Sequence, residues 1–559
     1  MNVSPIIAQL LLNRTIAEQL PGERFLKCPL TDLLEPEMLP GIAAAVERLF
    51  AAIEQQKKIC IYGDYDVDGV TGTSILLNCL TLLKARVEFH VPHRLEEGYG
   101  LNSETLKKLA ANGVNVVVTV DCGIASIEEA DEANRLGIEL IVTDHHEMKA
   151  TLPAAAVLVH PRLPGTTYPF GGLSGAGVAF KLAWALAKKA CGGAKVTPEL
   201  RECLMDGILL ASLGTVADVV PLFEENRIYV RHGLQRMRNK PGIGLRALMR
   251  CAKLDTKKNL GSADIGFGIA PRINAAGRLG TARLAVELLT TRNPHRADIL
   301  ADWLERQNQE RQLIERRVFQ EARALVEKQP DSPAFVLASP DWHPGLLGIV
   351  ASRLVDRFAR PVLMIAVRDG QYAQGSGRSV PGFKLHQALQ DCTSHLIGHG
   401  GHAMAAGFRL LPENIDAFRD AFCAVVARQF GGTPGPHRLV IDAEVPLASL
   451  TTGLMQGIDQ LEPYGAGNPA PVLLADRLQI VGEPRKVGNG ERHLSFRVRQ
   501  NGKEVRAIGF SMADRAAELM SHQGQCCLVF TPRWNEWQGY KSVEIEIKDF
   551  QAGPEAKLD

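Results

Sequence analysis

The chain has 559 residues, enough for several domains that each bury a hydrophobic core. Its hydrophobic content of 46% and charged content of 22% are ordinary for a globular protein, and no apolar run approaches the ~20 residues that a membrane span needs. The net charge is only +1, so any basic surface for a nucleic acid must be local and balanced by acidic surface elsewhere.

The amino terminus and the cysteines predict a cytoplasmic protein. The opening MNVSPIIAQLLLNR lacks a basic n-region and is interrupted by Gln9, which argues against a signal peptide. The eleven cysteines include no CxxC pair, and several, such as Cys60 and Cys122, lie in apolar, strand-like contexts. This pattern is typical of reduced core cysteines and not of disulfides or a zinc site.

The first half of the chain predicts an α/β lobe followed by helices. Residues 1–50 hold a Pro-rich stretch and helical patches, so we expect an N-terminal extension packed on the first sheet. In residues 51–222, Val/Ile-rich runs alternate with helical segments, which predicts a doubly wound parallel sheet. Residues 223–329 predict a helical connector that ends in one long helix over 296–329. That helix would either space two lobes or pack along a single domain.

The second half predicts another α/β lobe and a barrel. Residues 330–432 contain the strand-like runs AFVLAS and PVLMIAV and the helical GLLGIVASRLVDRF. The segment FGGTPGPH then supplies a Gly/Pro linker. Residues 438–550 alternate apolar and polar residues between turns, which predicts a small antiparallel barrel of the OB type.

Three acidic segments follow apolar runs of the first lobe: GDYDVDG (63–69), VDCG (120–123) and TDHH (143–146). Because open α/β sheets gather their chemistry beyond the carboxyl ends of the strands, these carboxylates and imidazoles should share one crevice. Crowded like charges raise one another's energy unless cations neutralise them. Carboxylates with imidazoles suit Mn²⁺ or Mg²⁺, and two such ions suit phosphate-ester hydrolysis. The alternative is that Asp and Gly merely form strand-to-helix turns.

The aspartates of the first two segments have different expected positions in the site. In extended backbone, Asp64, Asp66 and Asp68 would project to one side, and a turn at Gly69 would open the next helix. An aspartate between two metals can bridge them. We choose Asp121 for that role because it stands alone in its loop.

The histidine pair and a later aspartate complete the expected site. His145 and His146 are adjacent, so in a tight turn one can bind metal while the other binds substrate phosphate or acts through water. The alternative is one ligand and one packed histidine. Asp218 follows a helical run and precedes Val-Val-Pro, which places it on a fixed loop as a final ligand.

These segments resemble the DHH phosphoesterase superfamily, named for the Asp-His-His sequence seen here at 144–146. The resemblance extends over nearly the whole chain, and within the superfamily it is closest to bacterial exonucleases that degrade single-stranded DNA 5′→3′. Its further motifs, which are specific when taken together and in this order, are GTVADVVPL (214–222), PRINAAGRLG (271–280), HPGLLGIVASRL (343–354), GSGRSVPGF (375–383), GHGGHAMAAGF (398–408) and PYGAGNPAP (463–471).

The resemblance implies a DHH parallel-sheet domain and a DHHA1-like domain joined by a long helix, followed by an OB-type barrel. It implies two Mn²⁺ or Mg²⁺ ions. By the resemblance, the metal ligands are drawn from Asp64, Asp66, Asp68, Asp121, His145, His146 and Asp218. We expect all of these except His146 to bind metal, and we expect Asp66, Asp121, His145 and His146 to be catalytic. One departure is visible, because Tyr62 stands where many relatives have His.

Several residues are candidates for binding substrate phosphates. Small residues let backbone approach a phosphate, and guanidinium groups offer bidentate contacts. HGGHAMAAG is expected to open a helix, which with GSGRS would form an anion nest. The candidates are Arg94, Arg272, Arg278, Ser376, Arg378, Gly400, Gly401 and His402. The alternatives are that Glu96 or Glu97 pairs with Arg94 and that PRINAAGRLG is a helix-packing seam.

Aromatic and basic residues are interleaved in the predicted barrel, as expected of a surface that stacks bases and follows a phosphate backbone. About half of these aromatics should belong to the barrel core. Trp534, Trp537 and Tyr540, in the polar hairpin RWNEWQGY, are the better stacking candidates.

Together these features predict a two-metal exonuclease that degrades single-stranded DNA 5′→3′ to mononucleotides in DNA repair and recombination. We expect a monomer without membrane contact, working with a single-strand-binding protein and a helicase. One alternative is a hydrolase of smaller substrates from the same superfamily, such as an oligoribonuclease, a cyclic-dinucleotide phosphodiesterase or a pyrophosphatase, against which the barrel argues. Another is a non-catalytic replication scaffold, against which the intact carboxylates argue.

Overall fold

The computed structural model describes residues 3–94, 97–193, 195–278, 281–368, 372–430, 438–537 and 540–555, apart from the side chain of Trp537. The chain divides into two compact units. Unit 1 combines Met1–Asp302 with Val440–Asp559, and unit 2 is Trp303–Leu439.

The first sheet of unit 1 is parallel throughout, in the order β2-β1-β3-β4-β5. Its central strands are wholly buried, as their Val/Ile-rich sequences predict for a sheet covered on both faces. The strands are β1 (Ile59–Gly63), β2 (Val87–His90), β3 (Val116–Val120), β4 (Glu139–Thr143) and β5 (Val157–Val159).

Helices flank this sheet and continue the chain beyond it. They are α1 (Pro5–Leu12), α2 (Gln19–Lys27), α3 (Ile42–Glu54), α4 (Val67–Leu82), α5 (Ser103–Ala111), α6 (Ile127–Arg135), α7 (Gly175–Ala190), α8 (Pro198–Ala217), α9 (Glu224–Asn239), α10 (Ile243–Cys251), α11 (Ala270–Arg278) and α12 (Ala282–Thr290). A π-helical turn, Asp264–Ile269, leads directly into α11. The helices α4, α7 and α8 pack on one another beside the sheet, which places their ends near its carboxyl edge.

The N-terminal residues only partly follow the expectation that they pack on the first sheet. Helix α3 does contact β5 and α7. The helices α1 and α2 instead share the hydrophobic core of the C-terminal domain through Ile7, Leu10, Leu11 and Leu26. Arg14 also donates to the side chain of Asn468 at 2.7 Å. The amphipathic pattern of a helix indicates that one face is buried but does not identify the partner, which explains the error.

The predicted long helix is present as α13 (Pro294–Glu327). It starts two residues earlier than expected because the Asn293 side chain accepts from the N–H groups of His295 and Arg296, as an N-cap does. Among the described residues, no helix is long and apolar enough to cross a membrane.

Unit 2 holds a mixed sheet in the order β6-β7-β8-β10-β9, in which only β6 and β7 are parallel neighbours. Its strands are β6 (Phe335–Ser339), β7 (Val362–Ala366), β8 (Ala373–Arg378), β9 (Gly398–Gly401) and β10 (Ala405–Leu410). Its helices are α14 (Leu347–Phe358), α15 (Leu385–Asp391) and α16 (Ile415–Phe430).

The C-terminal domain is a closed barrel. Strands β12, β13, β14, β16 and β15 follow in order, and a further pairing of β12 with β15 closes the ring. Its elements are β11 (Ala443–Glu444), α17 (Thr452–Leu461), β12 (Leu473–Val487), β13 (His493–Gln500), β14 (Lys503–Gly509), α18 (Ala516–Met520), β15 (Gln525–Trp537) and β16 (Tyr540–Ala552). The predicted architecture of two α/β lobes, a long helix and a barrel is confirmed.

Candidate metal centre and substrate-binding residues

The first acidic segment turns from strand into helix earlier than the sequence suggested. Asp64 directly follows β1, but α4 already begins at Val67, so an extended run through Asp68 is wrong. Asp66 is the N-cap of α4, and its Oδ1 accepts from the N–H groups of Asp68 (2.9 Å) and Gly69 (3.1 Å). An aspartate that caps a helix has a local hydrogen-bond partner that favours this early start.

Asp68 and Asp218 approach from helix ends. The carboxylate of Asp68 accepts from the N–H groups of Gly175 (2.6 Å) and Ala176 (2.9 Å) in the first turn of α7. Asp218 is the C-cap of α8. A Cβ on Gly214 of α8 would lie 2.2 Å from Asp68 Oδ1, so the Asp68 carboxylate packs directly against the backbone of α8.

Asp144 holds the histidine pair in place. Its Oδ1 accepts from the N–H groups of His145 (2.7 Å) and His146 (3.1 Å) and lies 2.8 Å from His146 Nδ1. Its Oδ2 accepts from the Ile124 N–H at 3.0 Å. Burial alone would raise the pKa of Asp144, but these bonds, above all that with His146, lower it to about 2.

The structure brings every predicted metal ligand to one edge of the sheet. Three groups of candidate atoms each fall within 4.8 Å of one another: Asp64, Asp66 and Asp121; Asp68, His145 and Asp218; and Asp121, His145 and His146. Asp121 belongs to two of these groups and has a left-handed backbone, φ 65°. His145 also belongs to two of the groups, so the three groups overlap and form one continuous set of possible ligands.

Three of the buried ligand atoms have unsatisfied lone pairs. Within the described part of the chain, Asp64 Oδ1, Asp121 Oδ1 and His145 Nε2 have no hydrogen-bond partner. His145 Nε2 lies 3.1 Å from Asp121 Oδ1 without forming a hydrogen bond. Because a buried polar atom is costly without a partner, these atoms fit a site that receives divalent cations.

The pKa values of the clustered carboxylates also indicate a site for divalent cations. Burial, together with neighbouring carboxylates, raises the pKa of Asp68 to about 7 and that of Asp218 to about 8, and it also raises the pKa of Asp64 and Asp121. His146 lowers the pKa of Asp64 and of Asp218, but this one positive charge is too little to stabilise the ionised form of the whole cluster. A pair of divalent cations supplies the additional charge.

The two histidines differ in environment. His145 is 9% exposed, and burial with the nearby His146 lowers its pKa to about 3, which keeps the imidazole neutral as a metal ligand must be. His146 is more exposed. Burial would lower its pKa, but its hydrogen bond with Asp144 and the surrounding carboxylates raise it to about 9.

Tyr99 is a neighbour of the site that sequence reasoning missed. Its hydroxyl donates to the Asp121 carbonyl at 3.1 Å and lies 3.1 Å from His146 Nδ1. It lies in the segment HRLEEGYG (93–100), in which the sequence-based candidates were Arg94 and its possible partners Glu96 and Glu97. Tyr62, by contrast, is fully buried and donates to the Gly100 carbonyl at 3.2 Å, so it contributes no atom to the three groups.

Of the basic candidates of unit 1, Arg94 lies beside the first acidic segment. The guanidinium of Arg94 stacks over the Tyr65 ring at 5.0 Å. Glu97 bonds with His90 and Thr105 and not with Arg94, while Glu96 lies outside the described residues.

The motif PRINAAGRLG is helical through α11. A Cβ on Gly277 would lie 2.3 Å from the Tyr65 carbonyl, so this helix packs closely on the first acidic segment. Arg272 donates to the Gly268 carbonyl at 2.6 Å, and Arg278 is half-exposed at the end of the helix.

In unit 2, the segment HGGHAMAAG is a β-hairpin and not the start of a helix, so the expected helix dipole is absent there. The row Ser376, Gly407 and Gly400 crosses the adjacent strands β8, β10 and β9. His402 N–H donates to the carbonyl of Ala405, which pairs with Arg378. The small side chains suggested a helix, but long-range strand pairing determines the structure. The predicted residues, including Gly401, therefore share one region of a sheet.

In the barrel, the exposed aromatic candidate is Tyr540, which is 81% exposed. Trp534 is half-buried, and its indole N–H donates to Asp459 while Lys541 covers its ring at 4.0 Å. The side chain of Trp537 lies outside the described residues. Several arginines of the barrel are paired with acids, such as Arg533 with the buried Glu544.

The fold and the aspartate–histidine edge define the class of protein. Residues 58–208 match the DHH family N-terminal domain, residues 331–428 the DHHA1 domain and residues 441–549 the RecJ OB domain. The chain is thus a DHH phosphoesterase, a class of hydrolases that act on phosphodiester bonds.

Comparison with individual proteins identifies the family within the DHH phosphoesterases. The chain is 36% identical over 554 residues to the single-stranded-DNA-specific exonuclease RecJ of Bacillus subtilis (strain 168), covering 98% of this chain and 68% of that protein. The crystal structure of RecJ from Thermus thermophilus in complex with Mn²⁺ matches with a TM-score of 0.82 at 34% identity, covering 99% of this chain and 76% of that chain. Its complex with Mg²⁺ matches with a TM-score of 0.77 at 32% identity, covering 99% and 75%. The chain belongs to the RecJ family of single-stranded-DNA-specific exonucleases, and the predicted resemblance is confirmed.

Proposed function

We propose that this chain degrades single-stranded DNA from the 5′ end to mononucleotides, using two Mn²⁺ or Mg²⁺ ions, in DNA repair and recombination. One observation carries the chemistry: three buried ligand atoms, Asp64 Oδ1, Asp121 Oδ1 and His145 Nε2, lack hydrogen-bond partners among the described residues at one sheet edge. Membership of the RecJ family supports single-stranded DNA as the substrate. The proposal that degradation starts at the 5′ end rests on the resemblance alone.

Each ligand has a proposed role. Asp64 and Asp66 would hold one ion, Asp68, His145 and Asp218 the other, and Asp121 would hold both. When bound, the pair of ions lowers the pKa of a water and offsets negative charge on the scissile phosphate.

His146 would face the substrate, because it is half-exposed while Asp144 and Tyr99 fix its imidazole. A positively charged His146 could then hydrogen-bond a phosphate oxygen. This leaves His145, which is more deeply buried, as the metal ligand of the pair.

We assign the metal chemistry to residues 51–222, the connector to 223–329, substrate binding to 330–432 and strand binding to 438–550, with residues 1–50 as an N-terminal extension. We also propose a cytoplasmic monomer that works with a single-strand-binding protein and a helicase. All eleven cysteines are free, which fits a reducing compartment.

A degradation assay tests the function. We expect hydrolysis of single-stranded DNA labelled at either end, with mononucleotides released from the 5′ end, when Mg²⁺ or Mn²⁺ is present. Double-stranded DNA, RNA and reactions with EDTA are the controls. Release from the 3′ end would contradict the polarity, and undiminished hydrolysis in EDTA would contradict the metal chemistry.

We expect Arg378 to recognise a terminal phosphate, because a guanidinium fork matches two phosphate oxygens. Arg378 lies half-buried on β8, where its Nη1 is 3.3 Å from Ser376 Oγ. Arg378→Ala should erase a preference for 5′-phosphorylated over 5′-hydroxyl ends, and Arg378→Lys should recover only part of it. Competition between the two substrates measures this. Equal slowing of both substrates by Arg378→Ala would show that Arg378 binds an internal phosphate instead.

We expect Tyr540→Ala to weaken the binding of long single strands about tenfold, because one stacked base contributes ~1–3 kcal/mol. Fluorescence anisotropy with EDTA present measures the affinity. Leu313→Ala, at a 65% exposed apolar residue of α13, is the control and should leave affinity unchanged. A point variant is a cleaner test than deletion of the barrel, whose core includes α1 and α2. Unchanged affinity in Tyr540→Ala would remove this residue from the strand-binding surface.

A further inference from the structure

Three consecutive polar residues at the start of α9 are buried as completely as a hydrophobic core. Glu225, Asn226 and Arg227 are exposed by 1%, 0% and 1%. Burying an amide or a charge is costly unless it is hydrogen-bonded. Each member of this buried triplet bonds to a different part of unit 1, and the second member reaches toward the metal centre.

The side-chain amide of Asn226 connects two segments of the metal centre. One segment contains Asp218, and the other leads into the first turn of α7, which binds the carboxylate of Asp68. Asn226 Nδ2 donates to the Pro221 carbonyl at 3.0 Å and to the Gly172 carbonyl at 2.6 Å. Pro221 lies three residues after Asp218. Gly172 lies three residues before Gly175, the first residue of α7, and the N–H groups of Gly175 and Ala176 hold the carboxylate of Asp68. One side chain thus ties both segments together.

The loop at the carboxyl end of α8 needs such a restraint. Val219 in this loop and Glu224, the first residue of α9, have φ angles of 59° and 43°, in the left-handed region that disfavours residues other than glycine, β-branched ones above all. Such conformations persist only where the surroundings determine them. The Leu222 N–H donates to the Ala466 carbonyl at 2.8 Å, and Asn226 provides the second restraint.

The other two residues of the triplet fix the first turn of α9. Glu225 accepts from Lys181 and from the Tyr168 hydroxyl. Arg227 stacks over the Phe25 ring at 3.8 Å. Its guanidinium also donates to the carbonyls of Gln460 and Leu461, the last two residues of α17, and to the carbonyl of Glu462, which follows the helix. The neighbours of Asn226 are therefore held on both sides, and its own amide is held through Nδ2, since its Oδ1 has no hydrogen-bond partner among the described residues.

We propose that Asn226 is a positioning residue for the metal centre, which sets the separation of Asp68 and Asp218 so that, with His145, they form one preformed cation site. The inference rests on the proposed function, since it requires a divalent cation at these residues. Asn226 itself would contact neither substrate nor metal.

Direct binding of Mn²⁺ to the full chain without DNA, followed by electron paramagnetic resonance, tests the proposal. Asn226→Ala should raise the dissociation constant of one of the two Mn²⁺ ions about tenfold or more, the range seen when groups that orient metal ligands are removed. Excess Mn²⁺ should restore part of the hydrolysis rate. The affinity for single-stranded DNA in EDTA should stay within about twofold of wild type, since Asn226 is fully buried.

A matched variant separates positioning from general stability. Asn308 is 1% exposed in unit 2, and its Oδ1 accepts from Arg311. Asn308→Ala should lower thermal stability without changing Mn²⁺ affinity. If Asn226→Ala does not fold, Asn226→Ser, which keeps one donor, should still weaken Mn²⁺ binding.

Wild-type Mn²⁺ affinity in a folded Asn226 variant would overturn the proposal, as would an equal loss in Asn308→Ala. Failure of the wild-type chain to bind Mn²⁺ would instead overturn the proposed function itself.

Discussion

Asp121→Ala is expected to reduce hydrolysis of single-stranded DNA by several orders of magnitude while leaving strand binding largely intact. The Asp121 carboxylate belongs with Asp64 and Asp66 to one ligand group, and its Oδ1 lies 3.1 Å from Nε2 of His145, a member of the Asp68 and Asp218 group, so its loss should affect both proposed cation positions. Asp121 is only 2% exposed, which leaves it little surface for contacting a DNA strand directly. Single-turnover kinetics with saturating Mn²⁺ measure the loss of hydrolysis. The affinity for single-stranded DNA in EDTA measures whether strand binding is retained.

The aspartate variants need structural controls. Asp66 also caps α4, so Asp66→Ala would destabilise that helix as well as remove a ligand. Asp66→Asn keeps a capping side chain and removes the charge, and we expect a comparable loss of activity. Asp131→Ala, at an exposed position of α6, should hydrolyse DNA at the wild-type rate. Near-wild-type turnover in Asp121→Ala would refute the two-metal interpretation.

Lys181→Met is expected to lower the free energy of unfolding by about 3–5 kcal/mol, as when one partner of a buried ion pair is removed. Lys181 is fully buried on α7 and donates to Glu225 and to the Leu34 carbonyl. Its loss would leave the Glu225 carboxylate buried without a cation. Urea unfolding followed by circular dichroism measures the change.

A second lysine of the same helix is the control. Lys188 pairs with Glu35 and Glu37 near the surface, and Lys188→Met should cost less than about 1 kcal/mol. Adding Glu225→Gln to Lys181→Met should recover part of the lost stability, because the unpaired charge is then gone. Equal losses for the two lysine variants would contradict the account of the buried pair.

The sequence predicted the location of the site well because its determinants are local. Short apolar runs become buried strands, and Asp64, Asp121 and Asp144 stand at their ends, so the parallel topology brings them together. The predicted barrel and long helix are likewise present, because their residue periodicities are strong.

The sequence did not predict features that depend on contacts between distant segments. GHGGHAMAAG forms a hairpin of β9 and β10, and β10 also pairs with the distant strand β8, a contact that no local pattern specifies. The buried position of Asn226 depends on Pro221 and on Gly172, 54 residues away in the sequence. A polar Glu-Asn-Arg triplet ordinarily indicates a solvent-exposed helix start, so its burial could not be inferred from composition.

The most direct test of the central claim is anomalous X-ray scattering from crystals of the wild-type chain grown with Mn²⁺. We predict two Mn²⁺ peaks at the carboxyl edge of the first sheet, both in contact with Asp121. One should also contact Asp64 and Asp66, and the other should also contact Asp68, His145 and Asp218. A single peak, or peaks at other residues while the enzyme remains active, would contradict the two-metal centre.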